Sequence, residues 1–462
     1  MLNKIIDNLV PAILGKEKEF TKGSIRRAIF MLSVPMILEM IMESLFAVVD
    51  IYFVGQISTD AVATVGVTES VITLVYAMAI GISMAATAMV GRRIGENDRE
   101  GAAVAAVQAI ILGIGVSIVL GTLGFLYAEE MLRLMGLNEQ LIAENASYTR
   151  IIFSTNIAIT LLFLLNAVFR GAGDASLAMW ALWIANGLNM ILDPLFIFGY
   201  GPFPEMGIAG AAIATSIGRG VGVAFQLFIL FRGMSIIRIM RRHLKIQWNI
   251  IKRLFEVSLG GAGQHVIASA SWIFLMRIIA IFGEDVLAGY TIAIRVIIFC
   301  ILPSWGMSNA TATLVGQNLG AKQPERAEKS VWLAAFYNVT FLLSLSICIF
   351  IFAPSVIALF TSDAQVIESG ILCLRIICAG YIFFAYGMVV SQAFNGAGDT
   401  ATPTWMNFIC FWVLETPLAY LFAVVLDWGP SGVYWSIAIS ESALAFIAVY
   451  LFRKGRWKQT SI

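Results

Sequence analysis

The chain has 462 residues, of which 59% are hydrophobic and only 13% are charged, and its mean hydropathy is +0.86. A water-soluble shell cannot be made from this composition, which excludes a soluble globular protein. The formal net charge of +1 gives no reason to expect nucleic acid as a partner, so the lipid bilayer is the partner that the composition implies.

Apolar stretches, each near the roughly 20 residues needed to cross a bilayer, account for most of the chain. Residues 1–27 carry Lys and Glu around a weakly amphipathic stretch without a cleavable signal pattern, so we expect a cytoplasmic interfacial segment there. Breaks at charge clusters, Gly and Pro place spans 1 to 6 at 28–54, 61–90, 101–128, 143–168, 176–199 and 207–231, and spans 7 to 12 at 254–282, 286–314, 328–353, 365–392, 402–425 and 432–452.

These spans predict an all-α polytopic membrane protein of twelve transmembrane helices in two parallel six-helix lobes. The N-lobe covers 28–231 and the C-lobe covers 254–452. A basic cytoplasmic connector at 232–253 joins the lobes, and 453–462 forms a cytoplasmic tail.

The placement of basic residues predicts the orientation. Alternate connections, beginning with the N-terminal segment, hold 24 of the 30 Lys and Arg residues, including Arg170 between spans 4 and 5. The opposite connections hold essentially Arg133, among many acids. Because cytoplasmic connections are enriched in Lys and Arg, both termini are expected to be cytoplasmic in a multi-pass protein of the cell membrane.

An internal repeat is visible when the chain is slid against itself until Gly81 lies opposite Gly306, a shift that we call the repeat offset. Six spans separate the repeats, which returns the chain to the same side of the membrane, so the lobes are parallel. Transporters of this design place the substrate site between the repeats and alternate access by rocking one against the other. The repeat offset also pairs Gly91 and Gly95 with Gly316 and Gly320, and Phe169, Gly171, Ala172, Gly173 and Asp174 with Phe394, Gly396, Ala397, Gly398 and Asp399.

Span 1 is the most informative element. Glu39, Glu43 and Asp50 fall within an arc of about 40° on an α-helix. An ionised acid at the bilayer centre costs roughly 2.5 to 3.5 kcal/mol on lenient insertion scales, so three acids are expected to line a polar cavity. Pro35 removes a backbone donor early in the span, which favours a helix that bends during transport over one with a static kink.

Spans 2 to 6 add polar residues at membrane depth. The acids of the first lobe have no Lys or Arg in the same spans except Arg219, and unpaired buried carboxylates must bind protons, metal ions or organic cations. Packing is the alternative role, and it weighs equally for two of these residues, Glu69 and Asn156. The set consists of Glu69 in span 2, Asn156 in span 4, Asn189 and Asp193 one turn apart in span 5, and Thr215 in span 6.

The second lobe has a different pattern, with basic residues in its spans. Internal neutralisation of its acids is the favoured interpretation, and a gate at Arg295 is the alternative. His265 in span 7 is a pH-responsive candidate for which a structural hydrogen bond is favoured. The charged members are Arg277, Arg295, Arg375, Glu415 and Glu441.

Three ordered motifs resemble a known family. They are Pro35 followed by Asp50-Ile-Tyr-Phe-Val-Gly, then Phe-Arg-Gly-Ala-Gly-Asp174, then Asn189-Met-Ile-Leu-Asp193-Pro-Leu-Phe-Ile-Phe-Gly. With the span count, repeat and connector, they resemble the MATE family, the multidrug and toxic compound extrusion antiporters, most closely its DinF-like prokaryotic branch. The resemblance implies export of small, often cationic or amphiphilic compounds, driven by inward flow of H⁺ or Na⁺, by a protein that is not an enzyme and needs no cofactor.

The resemblance also implies site residues. In that branch a carboxylate on the first helix works with an Asn and an Asp on the fifth and a Thr on the sixth, which match Asp50, Asn189, Asp193 and Thr215. We add Asn156 as a further candidate for cation coupling. A Na⁺ ion at Asp50 and Asp193 is the metal alternative to a proton.

The remaining acids of the first lobe, Glu39, Glu43 and Glu69, are assigned to the substrate cavity, and Pro35 is assigned as the hinge. The NorM-type branch instead has a Glu on helix 7 and an Asp on helix 10. In this chain span 7 has Gln264 and span 10 has Arg375, so we expect no second-lobe cation site of that kind.

Other functions fit the sequence less well. A flippase for a lipid-linked precursor shares the architecture but favours a cationic cavity, whereas the first lobe is acidic. A membrane-embedded prenyltransferase needs Asp-rich clusters for Mg²⁺, which the sequence lacks. The sequence does not determine the substrate, the choice between H⁺ and Na⁺, or the oligomeric state, although a monomer is expected.

Overall fold

A computed structural model describes residues 2–16, 20–460 and 462, and these residues form helices without strands. The α-helices are α1 (Leu2–Ile13), α2 (Ile25–Gly55), α3 (Thr59–Gly95), α4 (Arg99–Leu126), α5 (Ala128–Leu134), α6 (Glu139–Ser154), α7 (Asn156–Ala172), α8 (Ala175–Ile197), α9 (Ile208–Arg232), α10 (Trp248–Ile279), α11 (Glu284–Gly320), α12 (Pro324–Ala358), α13 (Ala364–Ala379), α14 (Tyr381–Ala397), α15 (Ala401–Asn407), α16 (Thr416–Tyr420) and α17 (Pro430–Arg453). Segments Phe408–Glu415 and Leu421–Val425 are π-helical and continue α15 and α16.

The predicted all-helical membrane architecture is confirmed. Among the described residues, ten helical segments are long and apolar enough to cross a bilayer, and two bent pairs of helices raise the number to twelve if each pair is one span. The pairs lie where spans 4 and 10 were predicted. The α6–α7 pair bends by 41° at Thr155, and the α13–α14 pair bends by 56° at Gly380.

Several helices of the two lobes begin and end at the repeat offset found in the sequence. Helices α3 and α11 begin at residues 59 and 284 and end at 95 and 320, and both halves of the bent spans also begin and end one repeat offset apart. Gly173 and Gly398 end α7 and α14 with φ angles of 90° and 86°. Such left-handed positions favour glycine because a side chain there meets the backbone.

The lobes pack against each other through small residues in the half of the molecule that carries the termini. The Cα atoms of Gly91 and Gly316 are so close that a Cβ built on Gly316 would lie 3.6 Å from the Gly91 Cα. A Cβ on Gly320 would lie 2.1 Å from the carbonyl oxygen of Arg92. Only glycine permits this direct approach of two helix backbones.

Hydrogen bonds between the lobes lie in this same half. The Thr313 hydroxyl donates to the carbonyl oxygen of Arg170 at 3.1 Å, and the Gln317 amide donates to that of Gly171 at 3.0 Å. In the reverse direction, Arg92 of the first lobe donates to the carbonyl oxygen of Ala397 at 3.4 Å. Within the described residues no side-chain hydrogen bond joins the lobes in the opposite half. Glu69 of the first lobe and Arg295 of the second are exposed there and lie within electrostatic range of each other, from which we infer that a cleft between the lobes opens at that end.

Candidate functional site

The outer end of the first lobe contains a buried polar cluster on spans 5 and 6. Asp193 is fully buried, and its Oδ1 accepts a hydrogen bond from Asn189 Nδ2 at 3.3 Å. The same Asn189 nitrogen donates to the Thr215 hydroxyl at 3.1 Å. The i, i+4 spacing of Asn189 and Asp193 puts both side chains on one face of α8, where they meet α9. The second oxygen of Asp193, Oδ2, has no partner within the described part of the chain.

Asp50 faces this cluster from span 1. Its half-buried carboxyl group lies within electrostatic range of Asp193, of Glu69 on span 2 and of Arg219 on span 6. No hydrogen bond to the Asp50 carboxyl group occurs among residues 2–16, 20–460 and 462. The structure therefore brings together Asp50, Asp193, Asn189 and Thr215, the set that the resemblance implied.

A second polar layer lies two helical turns along span 1. The Asn186 side-chain amide donates to Glu43 Oε2 at 2.9 Å, and Arg219 Nη2 lies 3.8 Å from Glu43 Oε1. Arg219 is almost fully buried, and its guanidinium carbon lies 5.6 Å and 5.8 Å from the ring centres of Phe46 and Phe163. These cation–π contacts and the nearby acid stabilise a charge that is otherwise costly inside a lobe.

A third layer surrounds Glu39, which is 2% exposed. Arg170 Nη1 donates to Glu39 Oε1 at 2.8 Å, and Asn166 Nδ2 donates to the same oxygen at 2.9 Å. Gln226 Nε2 in turn donates to Asn166 Oδ1 at 2.5 Å. The sequence argument that Glu39 lacks a basic partner is wrong, because Arg170 lies inside α7 and not in the connection where the charge pattern placed it.

The other predicted site residues lie apart from these layers. Glu69 is exposed and within electrostatic range of both Arg219 and Arg295, so it faces the cleft between the lobes. Asn156 begins α7 at the bend of span 4, where its amide donates to the carbonyl oxygens of Ser117 and Phe153. It makes no described hydrogen bond to the Asp50 cluster. Pro35 is buried within α2, which runs as one helix from Ile25 to Gly55.

The acids of the second lobe do not pair with its arginines. Glu415 is 95% buried and accepts a hydrogen bond from the Ser271 hydroxyl at 3.1 Å, with Glu441 within electrostatic range. Arg375 donates to the carbonyl oxygen of Phe350 and lies over its ring. Internal neutralisation of the second lobe was therefore a wrong prediction for the described residues, because these side chains face different surroundings.

Comparison with known proteins identifies relatives that span nearly the whole chain. The MatE family model matches residues 35–195 and 262–421, once in each lobe. The probable multidrug resistance protein NorM of Thermotoga maritima is 27% identical, and the match covers 95% of this chain and 94% of the relative. The FAD transporter of Shewanella oneidensis is 25% identical, over 93% of this chain and 95% of that protein.

Solved structures show the same architecture. The outward-facing conformation of a multidrug resistance MATE family transporter of the MOP superfamily is similar to this chain with a TM-score of 0.89 and 27% identity. That similarity covers 96% of this chain and 99% of the solved one. The two-lobe arrangement is therefore shared along the full length.

Proposed function

The chain belongs to the MATE family of multidrug efflux transporters, and from this membership we propose that it is a secondary antiporter. It exports small organic compounds, many of them cationic or amphiphilic, in exchange for H⁺, with Na⁺ as the alternative coupling ion. Its DinF-like branch assignment stays a prediction, because the relatives named above include a NorM-type protein.

The buried carboxyl group of Asp193 carries this proposal. Its unpartnered oxygen Oδ2 is a vacant acceptor at 0% exposure, and Asp50 lies close enough to repel it electrostatically. A proton or a Na⁺ ion bound by the pair would remove that repulsion. Asn189 and Thr215 supply the neutral oxygen and amide groups that hold the two acids in place or complete a Na⁺ shell.

Coupling follows from the position of Asp50 on span 1, a helix that packs against both lobes. When the pair is loaded, the outer end of span 1 repacks against span 5 and the cavity of the first lobe shrinks, with Pro35 as the hinge. Substrate held near Glu43 and Glu69 is then expelled into the cleft. A bound cation changes the relative energy of two states, which is the requirement for any ligand that drives a conformational change.

The proposal also includes the orientation of the protein in the membrane. Both termini face the cytoplasm of a multi-pass protein in the cell membrane, so the cleft described above opens to the outside. The charge bias supports this orientation, because 24 of the 30 Lys and Arg residues lie on the side of the termini. We propose that one chain works as a monomer, since each chain holds both lobes and the cleft between them.

The experiment is uphill efflux of a cationic dye from vesicles that contain the purified protein, under an imposed pH or Na⁺ gradient. Asp50→Asn should bind dye and fail to accumulate it against the gradient. Asp285→Asn is the matched control, because Asp285 is an exposed acid at the outer end of the second lobe. Gradient-driven efflux at the unaltered rate in Asp50→Asn would assign coupling to another residue.

The flippase alternative is not favoured. A pyrophosphate-linked lipid needs a cationic cavity, and the same holds for an anionic compound such as FAD. The first lobe presents Glu43, Glu69 and Asp50 toward its interior and the cleft, where Arg219 and, from the second lobe, Arg295 are the basic residues that act on them. Competition of an anionic compound with the cationic dye would be the result that favours this alternative.

A further inference from the structure

The repeat offset relates two side-chain pairs that occupy the same place in the two lobes. Glu39 and Arg170 correspond in sequence to Gln264 and Asn395. In the second lobe, Gln264 Nε2 donates to Asn395 Oδ1 at 3.0 Å, and Asn395 Nδ2 donates back to Gln264 Oε1 at 3.2 Å. One fold therefore builds the same contact twice, as a charged pair in the first lobe and as a neutral pair in the second.

The charged pair has an unused acceptor. Glu39 Oε2 is buried and has no hydrogen-bond partner in the described residues, and the same is true of Gln226 Oε1 in this layer. A protonated carboxyl group carries an O–H, so protonation of Glu39 would turn a buried acceptor into a donor. The buried acceptors of this layer that lack a donor therefore point to a proton as its ligand.

We propose that Glu39 is a second proton-binding site of the first lobe and that Arg170 transmits its protonation to the interface between the lobes. The inference rests on the proposed function, since the proton reaches Glu39 from the Asp50 and Asp193 pair. It replaces the predicted role of Glu39 in lining the substrate cavity, because Glu39 is buried.

Arg170 joins this site to the interface. Its guanidinium binds Glu39, while its own carbonyl oxygen accepts the Thr313 hydroxyl of the second lobe, and the next carbonyl, that of Gly171, accepts the Gln317 amide. Protonation of Glu39 removes the counter-charge of a nearly buried guanidinium, which is costly. The Arg170 guanidinium then moves toward water at the end of α7, and the two hydrogen bonds from Thr313 and Gln317 weaken.

The proton has a short route along span 1. Glu39 lies eleven residues, or about 16 Å, from Asp50 along the helix axis, and Glu43 lies between them on the same face. The proton leaves the Asp50 and Asp193 pair, passes Glu43, and is held at Glu39 Oε2. This order suits antiport. A proton that enters through the open cleft reaches Glu39, and its binding there weakens the hydrogen bonds that close the lobes on the side of the termini.

Few charges face Glu39 besides its partner. Glu43 acts on it from the same helix and Arg170 from span 4. Among the other helices packed on span 1, span 5 has Asp193 as its charged residue, which acts on Asp50. Span 2 has Glu69 and span 6 has Arg219, which both act on Asp50, and Arg219 also lies beside Glu43. Span 8 has Arg295 beyond its first turn, which acts on Glu69, and span 9 has its charges within its first two turns. Arg170 is therefore the group that responds to the charge of Glu39.

The test measures the distance between the lobes on the side of the termini. The five native cysteines are replaced by alanine, and new cysteines at the exposed positions 96 and 325 carry spin labels. Double electron–electron resonance in lipid nanodiscs then measures the distance between the two labels. In the unaltered pair, lowering the pH from 8 to 5.5 should add a longer-distance population.

The decisive variant carries Glu39→Gln with Arg170→Asn, which installs the neutral pair of the second lobe. It should fold, because the chain already accommodates that pair, and its distance distribution should no longer respond to pH. Glu39→Gln alone leaves a buried arginine without a counter-charge, so the longer-distance population should already be present at pH 8, with a population ratio shifted roughly tenfold.

Several results would overturn the proposal. They are a pH response retained in the double variant, an unaltered distribution in Glu39→Gln at pH 8, or no pH response in the unaltered protein. Thr313→Val tests the transmission, since its effect should be less than additive with that of Glu39→Gln, and strict additivity would exclude a shared route. Failure of the proposed antiport is distinguished by the dye assay with Asp50→Asn, which does not depend on these distances.

Discussion

The two lobes share the ends of several helices and differ in what they bury. At the repeat offset, Asp50 of the first lobe corresponds to Leu275 of the second, and Asn189 and Asp193 correspond to Leu414 and Leu418. Leu275 is buried in the apolar core of the second lobe. The repeat keeps the ends of α3 and of the bent spans and the glycine cap at Gly173, but it does not keep the polar cluster.

This difference shows that both lobes build the interface, whereas one lobe holds the polar cluster that we propose as the cation site. Rocking requires two bodies with matching contact surfaces, and the small residues and crossed hydrogen bonds at the interface provide these from both lobes. Binding of a driving cation requires only one polar cluster, and each further buried charge costs free energy. The first lobe holds three polar layers along span 1, while the second lobe holds Glu415 and Glu441 away from the related positions.

The strongest way to break this comparison is to neutralise one buried acid in each lobe. Asp193→Asn should reduce gradient-driven efflux at least roughly tenfold, because the cation loses its binding group and with it about 1.4 kcal/mol or more of coupling. Glu415→Gln should stay within about twofold, since an amide can still accept from Ser271. Efflux from vesicles measures both, and an equal loss in Glu415→Gln would place coupling in both lobes.

A second test sharpens the view that the lobes are parallel repeats. Single cysteines at the exposed positions Glu205 and Glu284 lie at the same end of the first and second lobe, and an impermeant maleimide should label both from outside the cell, in at least roughly tenfold excess over labelling of a cysteine at position 96. Labelling of only one of the two from outside would contradict the parallel arrangement.

Substrate selection provides a smaller effect. Glu43 is a quarter exposed and lies in the middle layer of the first lobe, so Glu43→Gln should weaken a monovalent cationic substrate by about fivefold, near 1 kcal/mol, and leave a neutral one unchanged. Binding of a cationic and a neutral dye measures this, with Glu441→Gln as the control in the second lobe. Equal weakening of both dyes would assign Glu43 a structural role.

The smallest expected effect tests where the lobes are alike. Gly173→Ala and Gly398→Ala each put a side chain at a φ near +90°, which costs about 1 to 2 kcal/mol. Both variants should therefore lower the thermal unfolding midpoint in detergent by similar amounts, a few degrees, while efflux stays nearly unchanged. A large shift in one variant and none in the other would show that the two turns are not equivalent.

The sequence by itself determined the membrane architecture, the twelve spans and the repeat. Hydropathy and charge report the free energy of placing each segment in lipid, which depends on composition and hardly on neighbours. The resemblance named Asp50, Asn189, Asp193 and Thr215 as one set, because the residues of its motifs can be matched in sequence. The repeat offset pairs Glu39 with Gln264 in the sequence. Only the structure showed that both residues bind the side chains at equivalent positions, Arg170 and Asn395.

Only the tertiary structure decided which charges pair. Arg170 was placed in a connection by its neighbours in sequence, yet α7 continues past it and directs the guanidinium at Glu39 on another helix. The sequence also contained no signal for two other features. They are the bends at Thr155 and Gly380 and the separation of Glu415 from Arg375. The ion pair joins side chains 131 residues apart in sequence, and the bends depend on how neighbouring helices pack, which no local pattern records.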